Sequence, residues 1–274
     1  MKLENEFLKL ELCNKGGEMS SLTYKGYDVL YKGDGKYWGG KNPTLFPMIS
    51  SPDSKKYTLN GKEYPCRNHG LIRYMDLETV CDDGNKVTLR LKSNEETLKE
   101  YPFDFNYEIT YRLDGKKVLI DYEIRNESED IMPFTFGLHP GFNVRNFDEM
   151  VLSFPDDEDG CMIKENTGET RMVKLGEYKD FIPDVIKQQT IVLKDLKSKY
   201  VILKQKEYNV KVDMTNFKYL GLWTADPNAE YMCIEPWLSI NNIKNTDNPF
   251  KEEFELEYLK PQETFKINYY IELD

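Results

Sequence analysis

FNYEITYRLDGKKVLIDYEIRN, residues Phe105–Asn126, decides the fold class. Phe105, Tyr107, Ile109, Tyr111 and Leu113 alternate with polar residues, a period of two that puts one set of side chains on a single buried face of a strand. Asp114-Gly115 then supplies the residue types of a tight turn, and alternation resumes at Val118, Ile120, Tyr122 and Ile124. The stretch predicts a β-hairpin with one face in a core.

The same device recurs along the chain. YTLNGKEY repeats it around Asn60-Gly61, and KVTLRLKS, FELEYL and the terminal FKINYYIEL alternate in the same manner. Helical periodicity is confined to NEETLKEYP and YKDFIPDVIK, each long enough for a turn or two. The expected fold is therefore all-β, a large antiparallel β-sandwich. No linker, repeat or composition break divides residues 1–274, so one domain is expected. The acidic run DDEDG (156–160) lacks the spacing of a calcium loop and reads as a solvated loop.

Composition narrows the partners. A chain of 274 residues with 39% apolar and 13% aromatic content can bury a substantial core, which excludes the disordered class. A net charge of −11 argues against nucleic acid and anionic membranes, whose phosphates require clustered Lys and Arg. A small or neutral ligand is the easier partner. The opening MKLENEFLKLEL has no apolar run for a signal peptide or membrane span, so a cytoplasmic location is expected. Cys13, Cys66, Cys81, Cys161 and Cys233 form an odd set without a CxxC pair, which fits reduced thiols better than disulfides or a structural zinc site. Cys233 reads most simply as a small buried hydrophobe.

Four stretches interrupt the alternation: KNPTLFPMIS (41–50), NHGLIR (68–73), GLHPGFN (137–143) and MCIEPWLSINN (232–242). Proline cannot donate to a central ladder, so LFP, LHP and EPW mark places where strands end or bend, and sites are built at such ends. The chain has two histidines, His69 and His139, and both fall in these stretches. Glu235, between Met-Cys-Ile and Pro-Trp, is expected to be partly desolvated, which raises a carboxyl pKa toward the range of a general base.

LFP, then HG-x-x-R, then G-x-HP-x-F, then IEPW, in this order and spanning nearly the whole chain, resembles the aldose 1-epimerase (galactose mutarotase-like) superfamily, in particular its LacX-like branch. The resemblance implies a β-supersandwich with a concave sugar cleft, no cofactor or metal, and interconversion of the α and β anomers of a free sugar. It also implies roles. Glu235 is the base at the anomeric hydroxyl, His139 the acid at the ring oxygen, and His69 a partner at the ring. Arg73 would donate to sugar hydroxyls, with Asp76 as its alternative ion-pair partner, and Trp237 and Trp223 would offer aromatic faces to the sugar. A base and an acid on opposite sides of the pyranose suffice for this chemistry.

The chain also departs from that family. LFP is followed by MISSPDSKKY where a Gly-Arg pair is common, EPW is followed by LSINN where Gly-x-x-Asp is common, and a substrate-recognising Asp has no counterpart. A non-catalytic sugar-binding or sensing protein and a hexose-phosphate 1-epimerase therefore stand as alternatives. A metal enzyme built on two His and one Glu is a third, without an HxH or HExxH motif to support it. Monomer or homodimer is the expected assembly.

Overall fold

The computed structural model describes residues 1–156, 158–164, 170–175, 190–226, 228–240, 249–250 and 255–274, with the backbone alone described in 158–164 and 170–175. The hairpin forms as its sequence dictates. Strands Phe105–Asp114 and Lys117–Asn126 pair antiparallel along their full length, from Phe105 opposite Asn126 to Asp114 opposite Lys117. Gly115 and Lys116 make the two-residue loop, and Gly115 carries the positive φ (55°) that the first position of a type II′ turn requires. At the second predicted hairpin, Lys56–Leu59 and Lys62–Pro65, Asn60 and Gly61 both have positive φ, the type I′ pattern.

These ladders extend into two large antiparallel sheets. The first runs in the order Val151–Ser153, Tyr200–Lys204, Asn209–Asp213, Thr264–Leu273, Lys117–Asn126, Phe105–Asp114, Lys86–Lys92, Glu78–Asp82. The second runs Thr170–Leu175, Glu158–Lys164, Ile191–Lys194, Tyr219–Trp223, Tyr231–Trp237, Gly137–Leu138, Thr44–Leu45, with Gly141–Asn143 also paired to Tyr231–Trp237. One apolar cluster joins them: Tyr107, Ile109, Ile120 and Ile124 of the first sheet lie in the same core as Leu220, Leu222, Met232 and Ile234 of the second. Phe46 against Phe105 (5.5 Å) and Phe136 against Tyr122 (5.1 Å) bridge the layers. The molecule is a β-sandwich, as the alternation predicts.

Among the described residues, helix is limited to Thr97–Glu100 and a 3₁₀ turn at Ile72–Tyr74, and no helix is long and apolar enough to cross a membrane. The helical turn expected in YKDFIPDVIK (178–187) lies outside the described residues. The acidic run expected as a loop departs from the prediction, because Glu158–Lys164 is a strand with Asp159 opposite Lys174. A ladder is made by backbone groups, so charged side chains do not by themselves prevent one. Among the described residues of FELEYL, Glu257–Leu259 is a strand, paired with Met132–Phe134.

Candidate active site

The four proline- and glycine-bearing stretches, distant in sequence, are sewn together by backbone hydrogen bonds. Leu71 N donates to Phe46 O (2.7 Å), and Phe46 forms a parallel bridge with Gly70. A Cβ on Gly70 would lie 2.1 Å from Phe46 O, and Gly70 has φ +75°, so this crossing requires glycine. Thr135 N donates to Pro47 O (2.8 Å), while its hydroxyl accepts from Ile49 N (3.0 Å). Ile234 N donates to Pro140 O (3.1 Å) and Leu238 N to Phe136 O (3.0 Å). The LFP, HG, HP and EPW segments thus become neighbours.

Strand Tyr231–Trp237 carries the centre of the site because it is buried on both faces. Met232 and Ile234 point into the inter-sheet core, whereas Tyr231, Cys233 and Trp237 pack in two smaller clusters outside it. Glu235, in phase with Cys233 and Trp237, belongs to this outer face and is 2% exposed. Its Cα partner is Gly221, and a Cβ there would come 2.7 Å from the Trp237 ring. Gly137, the partner of Trp237 on the other side, is similarly close at 2.6 Å. Two glycines therefore let the indole lie flat across neighbouring backbones.

His139 meets Glu235 on this face. Its Nε2 is 3.4 Å from Glu235 Oε2, and its Nδ1 is buried with no partner among the described residues. The His69 ring stands edge-on to it, centroids 5.3 Å apart at 77°. His69 has φ +66°, unusual for a side-chain-bearing residue, and its Nδ1 makes a short hydrogen bond to Ile49 O. A carbonyl only accepts, so Nδ1 carries the hydrogen and Nε2 is left with a lone pair when the ring is neutral.

Burial sets the charge states. It lowers the His69 pKa to about 4, against the Ile49 carbonyl and with the positive charges of Arg73 and Lys55 adding to the drop. Burial also takes His139 well below the usual histidine value, assisted by His69 and Arg73. Both shifts favour the neutral imidazole. The Cys233 thiol is pushed well up, first by burial and then by Glu235. Glu18 is half-buried and raised by burial, a shift that Arg73 and the Asn42 amide oppose.

The structure brings Glu235, His139 and His69 together, with the charge of Arg73 close enough to act on both rings. Arg73 makes no ion pair with Asp76; its guanidinium lies over Tyr74, 5.3 Å from the ring centre. Trp223 is half-buried and edge-on to His139 at 5.5 Å. Trp237 is 5% exposed, packed among Leu45, Ile49, Val192 and Tyr219. The expectation of an acid and a base flanking a pyranose meets a different arrangement, because the 3.4 Å gap between His139 Nε2 and Glu235 Oε2 holds no sugar ring.

Sequence reasoning missed Trp38. Its indole stacks on His139 (4.8 Å, 24°) and stands edge-on to Trp223 (5.4 Å, 80°). A Cβ on Gly40 would lie 2.4 Å from this indole, so the glycines of GDGKYWGG, which look like loop filler, are the available signal. Glu18, beside Arg73, gave no signal beyond its position after Gly16-Gly17. Cys233 is fully buried in an apolar cluster, as expected, and with His139 and Glu235 it also offers ligand atoms that all lie within 4.8 Å of one another. His69 is outside that group, unlike the two-histidine metal set weighed from sequence.

The family model described as aldose 1-epimerase matches residues 1–272. Protein LacX (plasmid) of Lactococcus lactis subsp. lactis is 27% identical over 292 aligned positions, covering 98% of this chain and 97% of that protein. A galactose mutarotase-like protein from Lactobacillus casei superposes with a TM-score of 0.90 at 22% identity, covering 100% of this chain and 99% of its own. A galactose mutarotase related enzyme from Lactobacillus acidophilus gives 0.91 at 24% identity, covering 100% and 97%.

Proposed function

Because the chain belongs to the aldose 1-epimerase family, we propose that it interconverts the α and β anomers of a free aldose, with Glu235 and His139 moving the proton. The observation that carries this reading is the buried contact of His139 Nε2 with Glu235 Oε2 at 3.4 Å, with Nδ1 of the same ring unpartnered. The hydroxyl oxygen and the ring oxygen that exchange a proton are bonded to one carbon, so two adjacent groups on one side can reach both.

The neutral state of His139 fits a relay. Glu235 takes the proton of the anomeric hydroxyl as the bond from C1 to the ring oxygen breaks. His139 gives an imidazole proton to the ring oxygen, and the protonated Glu235 returns one to the imidazole. The open-chain aldehyde is left with Glu235 ionised and His139 neutral. Rotation about C1–C2 and closure on the opposite face run the same path backward and restore the starting state. A positioned acid and base are each worth about 10² to 10⁴-fold in rate.

The other residues bind and orient. His69, its Nδ1–H engaged by Ile49 O, accepts a sugar hydroxyl at Nε2, which suits it to holding the ring rather than to acid catalysis. Arg73 donates to hydroxyls, and Trp223 with Trp38 supplies the aromatic wall. Trp237 acts through packing that fixes the strand bearing Glu235.

The test is anomer exchange followed by NMR saturation transfer and polarimetry on freshly dissolved hexoses and pentoses. Hexose phosphates join the panel because Lys55 and Arg73 place positive charge near His69. Exchange should accelerate with at least one free aldose, and His139→Asn should lower that rate by at least about 10²-fold. Saturable binding without accelerated exchange across the panel would make the protein a sugar-binding module instead.

A further inference from the structure

The relay leaves one reactive group of the outer face unused, the Cys233 thiol. It is 0% exposed, lies one alternation before Glu235 on the same strand, and would be 3.5 Å from a Cβ built on Gly141. Among the described residues, His139, Cys233 and Glu235 form the group of His, Cys, Asp and Glu side chains whose ligand atoms converge, all within 4.8 Å. The set is one imidazole nitrogen, one sulfur and one carboxylate oxygen, all three residues being buried.

We propose that these three side chains bind a zinc-like divalent cation, and that the bound cation blocks the site. Zinc takes nitrogen, sulfur and oxygen ligands at about 2.0–2.3 Å in tetrahedral geometry, which sets ligand-to-ligand edges of roughly 3.3–3.8 Å. The His139–Glu235 edge is already 3.4 Å. Closing the remaining edges from at most 4.8 Å asks for a shift of about an ångström. Three protein ligands leave a fourth position for water or a sugar hydroxyl.

The balance of the binding step is simple. The cation displaces the thiol proton, which leaves to solvent, and a thiolate–metal bond forms; Glu235 brings the second negative charge and His139 binds as neutral imidazole. The divalent charge is thereby neutralised within the site. Such a cation is a blocker and not a cofactor, because it takes the carboxylate and imidazole lone pairs that carry the proton in the relay. The blocking half of the proposal rests on the epimerase reading; the binding half does not.

Cobalt(II) replaces zinc in such sites and reports its ligands by absorption, so the full-length protein is titrated with Co²⁺ and Zn²⁺. The expected result is one cation per chain, a near-ultraviolet thiolate-to-cobalt band, and loss of anomer exchange that EDTA restores. In Cys233→Ser the band should vanish and the Zn²⁺ needed for half-inhibition should rise by at least about tenfold, with metal-free exchange close to wild type. Cys233→Ala serves as a second variant should serine perturb folding. A cobalt adduct without the thiolate band, or a band that survives in both variants and so belongs to another cysteine, overturns the site. Inhibition at an unchanged Zn²⁺ concentration in the variants overturns it as well. A protein that shows the band yet never accelerates anomer exchange would refute the function and leave the cation site standing.

Discussion

The hairpin Phe105–Asn126 and the strand Tyr231–Trp237 are both deeply embedded, yet they are built on opposite rules. In the hairpin one face is core and the other wet, so Tyr107, Ile109, Ile120 and Ile124 alternate with Glu108, Thr110, Asp121 and Glu123. In Tyr231–Trp237 every residue is buried. One face, Met232 and Ile234, is core in the same sense, while the other, Cys233 and Glu235, is covered by His139 and its aromatic neighbours. The difference shows how a sandwich acquires chemistry: a strand shielded on both sides can desolvate a carboxylate, which a half-exposed strand cannot.

The two regions should therefore respond differently to substitution. Glu235→Gln preserves shape but cannot accept a proton, so the anomer-exchange rate should fall by at least about 10²-fold while sugar affinity stays within about tenfold. Paired calorimetry and saturation transfer on the same samples check this, and a wild-type rate in the variant would remove Glu235 from the relay. In the hairpin, Ile120→Ala should cost about 2–5 kcal/mol of stability by urea unfolding, from lost burial and the cavity left behind. Turnover per folded molecule should be unchanged. A parallel drop in rate would mean that the two faces are mechanically coupled.

A smaller effect probes where the site and the fold overlap. His69 is held at about 4 in the folded chain, below its ordinary 6.5. Between those values the unfolded chain binds the proton and the folded chain does not, so stability is lost as pH falls from 6.5 toward 4 and is unaffected by this residue above 6.5. The loss is at most about 3 kcal/mol. Urea unfolding of wild type and His69→Asn at stepped pH isolates it, since the carboxylates titrate in both. Curves that stay parallel from pH 7 to 4 would show that burial does not disfavour the charged ring.

The hairpins, their turns and the all-β class were legible in the sequence because a half-buried strand writes its environment as a period of two, and Asn-Gly or a well-placed Gly writes its turn in backbone conformation. Glu235, His139 and His69 were legible as candidates because they interrupt that period beside Pro and Gly. Their partners were not. Trp38 stands 101 residues from the ring it covers, and nothing in a window around either residue encodes that contact. Cys233 looks like any small hydrophobe until the strand is buried on both faces.

By itself, then, the sequence determined local geometry: which segments are strands, where they turn, and which polar residues sit oddly among apolar ones. The tertiary structure alone decided that His139 meets Glu235 at 3.4 Å, that Trp237 lies against Gly137 and Gly221, and that burial lowers the pKa of both histidines. The physical reason is range. Strand and turn propensities act over a few residues of chain, whereas burial, sheet order and the approach of one buried side chain to another depend on segments that folding alone brings together.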